Sequence, residues 1–266
     1  GVDAIATEGR QGAMRILFYN IRYGTGCGWT YHLPLPFTGF FRSSRATTER
    51  IGEYLDALDV DVACLCEVDG GSYRNGRKSQ ARNLASKRGW KDVFAPKYGA
   101  TSPLRRVPLL SSQGNAVLSR LPIIDSRENL FSRGVKRSLL EVEFPDFVVL
   151  LAHLSLGYGA RQTQLREIAE RCRNLDKPIL LGGDFNLLSG DGELHPLLEA
   201  TGLRDADGRG RPTFPSRRPS LRLDCLLTSP AIRVHRFDVP RVILSDHLPL
   251  VCDVEIAPSE GRGGPR

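Results

Sequence analysis

Apolar runs that stop on a polar side chain constrain this chain more than any other feature. The run Arg15-Ile-Leu-Phe-Tyr ends on Asn20, Asp61-Val-Ala-Cys-Leu-Cys ends on Glu67, and Phe147 to Ala152 ends on His153. Pro178-Ile-Leu-Leu-Gly leads through Gly183 to Asp184 and Asn186, and Asp246 with His247 is placed behind a further run. Asp224 differs in lying inside an apolar stretch, between Leu223 and Cys225. Short, unbroken apolar runs are strands buried on both faces. Such strands need layers to cover them, and their ends then share an edge.

Helical spacing supplies those layers. Ile51, Leu55 and Leu58 recur at that spacing in Arg45 to Leu58, and Gln80 to Arg88 reads as a second helix. In Arg161 to Leu175 the residues Leu165, Ile168, Ala169, Cys172 and Leu175 form one apolar stripe. Asn115 to Ser119, Arg137 to Phe144, Phe147 to His153, Leu223 to Leu227, Val234 to Val239 and Leu248 to Ile256 read as strands. Pro145-Asp146 is a tight turn between two of them. Helices alternating with strands, together with hairpins, predict an α/β fold of mixed sheets covered by helices.

The 266 residues allow one large domain or two small ones. We expect one domain from Met14 to Ile256, a flexible tail after it, and an added leader over residues 1–13. Met14 is the one methionine, and a strand begins directly behind it, so it reads as the native start. That start implies a cytoplasmic protein; a removed signal or anchor would leave localisation open. No apolar run approaches the roughly 20 residues of a membrane helix. The six cysteines include no CxxC pair, and Cys64, Cys66, Cys225 and Cys252 fall in apolar runs, which predicts buried free thiols.

Strand ends converge on one edge in folds of this class, and ligands bind there. Several carboxylates gathered on such an edge repel one another unless they hold a cation. Glu67, Asp184 and Asp246 offer hard oxygen ligands and Asn20 and Asn186 neutral ones, a set suited to Mg²⁺ or Mn²⁺ rather than zinc. An acid that fixes one tautomer of an imidazole makes a general base, which suggests Asp224 with His247. His153 reads as a donor to a phosphoryl oxygen.

Phe18-Tyr-Asn20-Ile21, Cys66-Glu67-Val68, Gly114 to Ser119 and Leu151-Ala-His153-Leu154 come first in a longer ordered series. Gly182-Gly-Asp184-Phe-Asn186, Arg222-Leu-Asp224 and Ser245-Asp246-His247 complete it. In order and content the series resembles the endonuclease/exonuclease/phosphatase superfamily, the DNase I-like fold, over about Met14 to Ile256. The resemblance implies a four-layer α/β sandwich with two mixed β-sheets face to face and helices outside. It also implies divalent-metal hydrolysis of phosphate esters. Position by position it makes Glu67 the principal metal ligand, with Asn20 helping to position the metal and Asp246 a metal or phosphate-site ligand. Asp184 and Asn186 hold the attacking water and the phosphate. Asp224–His247 is the acid-oriented histidine, and His153 the second catalytic histidine. Either His247 or Asp184 takes the water's proton. Arg137, near the start of its strand, is expected to join His153 and Asn186 on the phosphate oxygens.

The substrate is less constrained. Cys66 stands before Glu67 where abasic-site endonucleases carry Gln, and His153 is more like the DNase I, sphingomyelinase and tyrosyl-DNA phosphodiesterase branches. Inositol-phosphatase signatures are missing. A net charge of +7 favours anionic partners. The loop from Gly24 to Phe41 concentrates Trp29, Tyr31, Phe37, Phe40 and Phe41, with Arg42 and Arg45 behind it. Aromatics beside cations stack on bases or insert at lipid interfaces, so this loop is expected to select the substrate. A second basic stretch, Arg209 to Arg222, is expected to line the same cleft. A monomeric phosphodiesterase acting on nucleic acid is the leading reading. Action on a phospholipid or other membrane headgroup is the alternative, and a non-catalytic binding module on the same fold is the third.

Overall fold

The computed structural model describes residues 12–27, 45–72, 76–97, 112–136 and 138–257. In chain order its first half carries β1 (Met14–Asn20), α1 (Arg45–Ala57), β2 (Val62–Asp69), α2 (Gln80–Ser86), β3 (Lys91–Pro96), β4 (Gln113–Ser119) and β5 (Asp125–Leu130). Its second half carries β6 (Ser138–Glu143), β7 (Val148–His153), α3 (Tyr158–Arg173), β8 (Ile179–Asp184), α4 (His195–Thr201), β9 (Arg204–Asp205), β10 (Asp224–Thr228), β11 (Ile232–Asp238) and β12 (Leu250–Ile256).

The strands form two six-stranded sheets, ordered β11-β12-β1-β2-β4-β3 and β5-β6-β7-β8-β10-β9. Each is built around one parallel pair, β1 with β2 and β7 with β8, and the other pairings are antiparallel. A parallel pair needs a crossover, supplied by α1 and α3. Strand alternation then sorts the apolar residues into three layers. Ile16, Phe18, Cys64, Val149, Leu151 and Leu180 meet between the sheets. Leu17, Tyr19, Ala63 and Leu65 face the opposite way, toward Ile51 and Leu55 of α1 and Leu84 of α2. Leu150 and Leu181 pack against Leu165 and Ile168 of α3. This is the expected four-layer sandwich of two mixed sheets with helices outside.

Two strand readings need correction. β2 continues past Glu67 to Asp69, through a register shift between Leu65 and Val68. Asp246 and His247 precede β12 rather than closing a strand. Because β12 runs antiparallel to β1, with Leu250 opposite Phe18, its entry still falls beside the end of β1. β5 carries no apolar signature because it is an edge strand and largely exposed, while β3, also an edge strand, holds only the short apolar run Val93 to Ala95. All six cysteines are free thiols, and five are buried.

One buried ion pair closes the first sheet. Arg15 Nε and Nη2 donate to Asp253 Oδ1 and Oδ2 at 2.6 and 2.8 Å, and its Nη1 donates to Leu58 O at 2.8 Å. Arg15 is 1% exposed. Asp253→Asn strands that buried cation, so we expect a loss of about 3–5 kcal/mol, read as a lower denaturant midpoint with unchanged slope. An unshifted midpoint would show that the pair contributes nothing.

Candidate active site

Strand register assembles the site before any side chain is considered. Asn20 lies opposite Cys66, the neighbour of Glu67, across the β1–β2 pair. His153 lies opposite Asp184 across β7–β8, and Asp224 opposite Asp184 across β8–β10. The ends of both sheets therefore face each other at one edge of the sandwich.

Local backbone explains how each group is aimed. Glu67, at the register shift in β2, has φ +54°, and Asn186 has φ +51°. Non-glycine residues held there cost of order 1–3 kcal/mol and concentrate at functional sites. Gly182 and Gly183 are both required. A Cβ on Gly182 would lie 2.7 Å from the Phe18 ring of the facing sheet, and Gly183 has φ +132° with its Cβ position 2.0 Å from Ala152 O.

Asp184 is the centre of the arrangement. Asn20 Nδ2 donates to Asp184 Oδ2 at 3.0 Å. His153 Nε2 lies 3.1 Å from the same oxygen, and His247 Nε2 3.9 Å. Asn186 N donates to Asp184 Oδ1 at 3.1 Å, while Asn186 Nδ2 donates to Leu154 O at 2.8 Å. Burial alone would raise the Asp184 pKa. His153 and His247 outweigh it and hold this carboxyl well below the usual range.

The two histidines have opposite electrostatics. His247 Nδ1 contacts Asp224 Oδ2 at 2.8 Å, and Thr213 Oγ1 donates to that oxygen at 2.5 Å. Burial opposes a charge on His247, but Asp224 and Asp184 prevail and push its pKa up to about 10. Burial likewise raises the Asp224 carboxyl, against the pull of His247. His153, buried and beside Lys136, is pushed down to about 4. The two imidazoles that flank this carboxylate are thus shifted in opposite directions.

Glu67 and Asp246 stand apart from this network. His153 Nε2 lies 3.8 Å from Glu67 Oε1, and among the described residues the Glu67 carboxylate accepts no hydrogen bond. Burial would raise its pKa, but Lys97 and His153 keep it below the ordinary value. Asp246 Oδ2 meets Arg22 Nε at 3.3 Å, and Ser245 Oγ donates to Oδ1 at 3.2 Å. Burial, with Glu67 adding to it, holds the Asp246 carboxyl up. A largely buried carboxylate that accepts no hydrogen bond from the described residues and is electrostatically coupled to Asp184 and Asp246 fits a hard divalent cation. Asp184, Asp224 and His247 also cluster closely. They do not make a convincing cation site, because Asp224 Oδ2 and His247 Nδ1 are already bonded to each other.

Every expected metal and histidine residue thus converges on one edge. Arg137 and the loop residues Trp29, Tyr31, Phe37, Phe40 and Arg42 lie outside the described residues. Two lysines were missed. Lys136 Nζ lies against His153 Nε2. Lys97 Nζ donates to Tyr23 Oη at 3.1 Å, and burial lowers its pKa to about 8 although Glu67 opposes this. Lys97 directly follows β3, so the strand-end rule would have found it had that edge strand been legible.

Comparison with known proteins agrees with this geometry. The family model described as "Endonuclease/Exonuclease/phosphatase family" matches residues 17–247. No curated protein matches the chain. An endonuclease/exonuclease/phosphatase structure from Beutenbergia cavernae superposes with TM-score 0.70 at 21% identity, covering 93% of this chain and 72% of that one. The human Nocturnin catalytic domain with bound sulfate gives TM-score 0.66 at 22% identity, covering 93% and 95%. D. rerio TDP2 complexed with single-strand DNA product gives TM-score 0.66 at 16% identity, covering 92% and 100%. At these identities the solved structures speak to the fold.

Proposed function

The chain belongs to the endonuclease/exonuclease/phosphatase family, whose members hydrolyse phosphoester bonds, and from that membership we propose a divalent-metal-dependent phosphodiesterase acting on nucleic acid. The observation that carries the chemistry is the meeting of Asn20, His153 and His247 on one oxygen of Asp184, with Glu67 alongside.

Glu67, Asp246 and Asn20 are the residues that would hold the cation, Mg²⁺ or Mn²⁺. When bound, such an ion neutralises charge developing on the phosphoryl and leaving oxygens. Asp184 orients the attacking water through its fixed oxygens, and Asp184 or His247 takes its proton. Asp224 holds the His247 ring in place through Nδ1, which leaves Nε2 facing the same site. Asn186, His153 and Lys136 supply further donors where negative charge develops.

Nucleic acid as substrate is supported by the charge of +7 and by the single-strand DNA product in the TDP2 relative. A membrane headgroup phosphodiester is the second reading. Leu156 and Tyr158, just after His153, and Leu188, just after Asn186, are exposed apolar side chains on the active-site edge. A Mg²⁺-dependent panel of supercoiled plasmid, single-stranded oligonucleotide, sphingomyelin vesicles, inositol phosphates and an aryl phosphodiester tests both. Turnover of either nucleic acid above that of the vesicles is expected. Turnover of vesicles alone would replace the first reading by the second, and full activity in EDTA would end both.

A further inference from the structure

Five arginines occupy the stretch from Arg209 to Arg222, and the structure divides them. Arg222 pairs with Asp205 at 2.7 Å and with Asp191 at 3.1 Å, and Arg211 pairs with Asp207 at 2.7 Å. These two are structural. Arg217 and Arg218 are exposed and, among the described residues, meet no carboxylate within 4.0 Å. They stand at the tip of a short hairpin closed by the Phe214–Leu221 bridge, and Arg218 N donates to Pro215 O within the turn.

That hairpin is fastened to the catalytic segment. Ser216 N donates to Asp246 O at 2.7 Å, Ser216 Oγ donates to Ser245 O at 2.6 Å, and Leu248 N donates to Thr213 O at 2.8 Å. Thr213 also holds Asp224, and the Phe214 ring lies 5.0 Å from that of His247. Arg217 and Arg218 are therefore carried at a fixed place relative to Asp246 and His247. With Asp246, Cys27, Pro215 and Ser216 they line a cavity of about 480 Å³. That size lies within the range of small-molecule sites. Both arginines line this cavity, so two positive charges border it, a setting that favours an anion.

We propose that Arg217 and Arg218 form a second phosphate subsite, which takes the phosphodiester next to the scissile one in a nucleic-acid strand. The inference rests on the nucleic-acid reading above. A strand offers a neighbouring phosphate at fixed spacing, whereas a lipid with one headgroup phosphodiester has already placed its phosphate at Asp184.

The test compares the wild type with R217A/R218A and with a charge-matched control, R166A/R173A on α3. Substrates are a single-stranded DNA 12-mer, bis(4-nitrophenyl) phosphate and sphingomyelin vesicles. In R217A/R218A the ratio of kcat/KM on the 12-mer to that on the aryl ester should fall at least about tenfold. The slope of log kcat/KM against log salt should become shallower by roughly 0.7 for each phosphate that the variant no longer neutralises. Cys27, the one cysteine that is not buried, gives a readout free of turnover. In EDTA the 12-mer should slow its alkylation in the wild type and fail to do so in R217A/R218A. Unchanged ratio and protection in R217A/R218A, with the 12-mer still cleaved by the wild type, would overturn the subsite alone. An equal fall in the control would also overturn it, leaving only general charge. A wild type that cleaves vesicles and not the 12-mer would overturn the nucleic-acid reading and the subsite with it.

Discussion

Glu67→Gln is expected to abolish metal-dependent turnover while the protein stays folded. Gln has the size of Glu, so the register shift and the positive φ at this position keep their shape. What disappears is a negative charge held in a largely buried setting and accepting no hydrogen bond from the described residues. Withdrawing the charge that holds a catalytic ion removes about 4–7 kcal/mol of transition-state stabilisation, roughly 10³–10⁵-fold in kcat/KM. Calorimetric titration with Mn²⁺ should show weakened binding in the variant, and its melting temperature should change little. Full activity in the variant would show that Glu67 does not hold the ion.

His247 and Asp224 are expected to fail together. His247→Ala and Asp224→Ala should each lower kcat by roughly 10²–10⁴-fold, the range of a positioned proton donor or acceptor. The double variant should be little worse than either, because residues that act as one unit are not additive. Multiplicative losses would show two independent roles. Thr213→Val, which removes the hydroxyl donating to Asp224 Oδ2, should give a smaller effect in the same direction.

The same pair carries a pH dependence in the metal-free protein. The folded pKa of His247 is raised to about 10 from an ordinary value near 6.5. Its contribution to stability is therefore fully present below about pH 6.5 and is lost as the pH rises toward 10. His153, pushed down to about 4, works in the opposite sense, and its contribution is lost as the pH falls through that value. Histidine NMR titration in EDTA should show His247 protonated through neutral pH and His153 neutral there. Two midpoints near 6.5 would contradict this electrostatic assignment.

Which residues share the site was legible in the chain itself. Burial of the central strands leaves long apolar runs that end on Asn20, His153 and Asp184, and the run before Glu67 breaks at a register shift inside β2, so all four could be picked out one by one. Asp246 and His247 were legible by chemistry although their place relative to a strand was misread. The misreading is harmless because an antiparallel neighbour begins where its partner ends.

Other features took shape only on folding. Asp184, not Glu67, is the centre of the hydrogen bonding, because Asn20 reaches it from the facing sheet across 164 residues of chain. Lys97 and Lys136 entered unannounced. One follows an edge strand with only a three-residue apolar run, and the other stands in the loop just before β6. Arg211 and Arg222 look the same in sequence as Arg217 and Arg218, yet among the described residues the first two meet acids and the second two do not. Periodicity and burial are local properties of a strand or helix. Which charge meets which is fixed by sheet register between segments distant in sequence, and that register exists only in the folded chain.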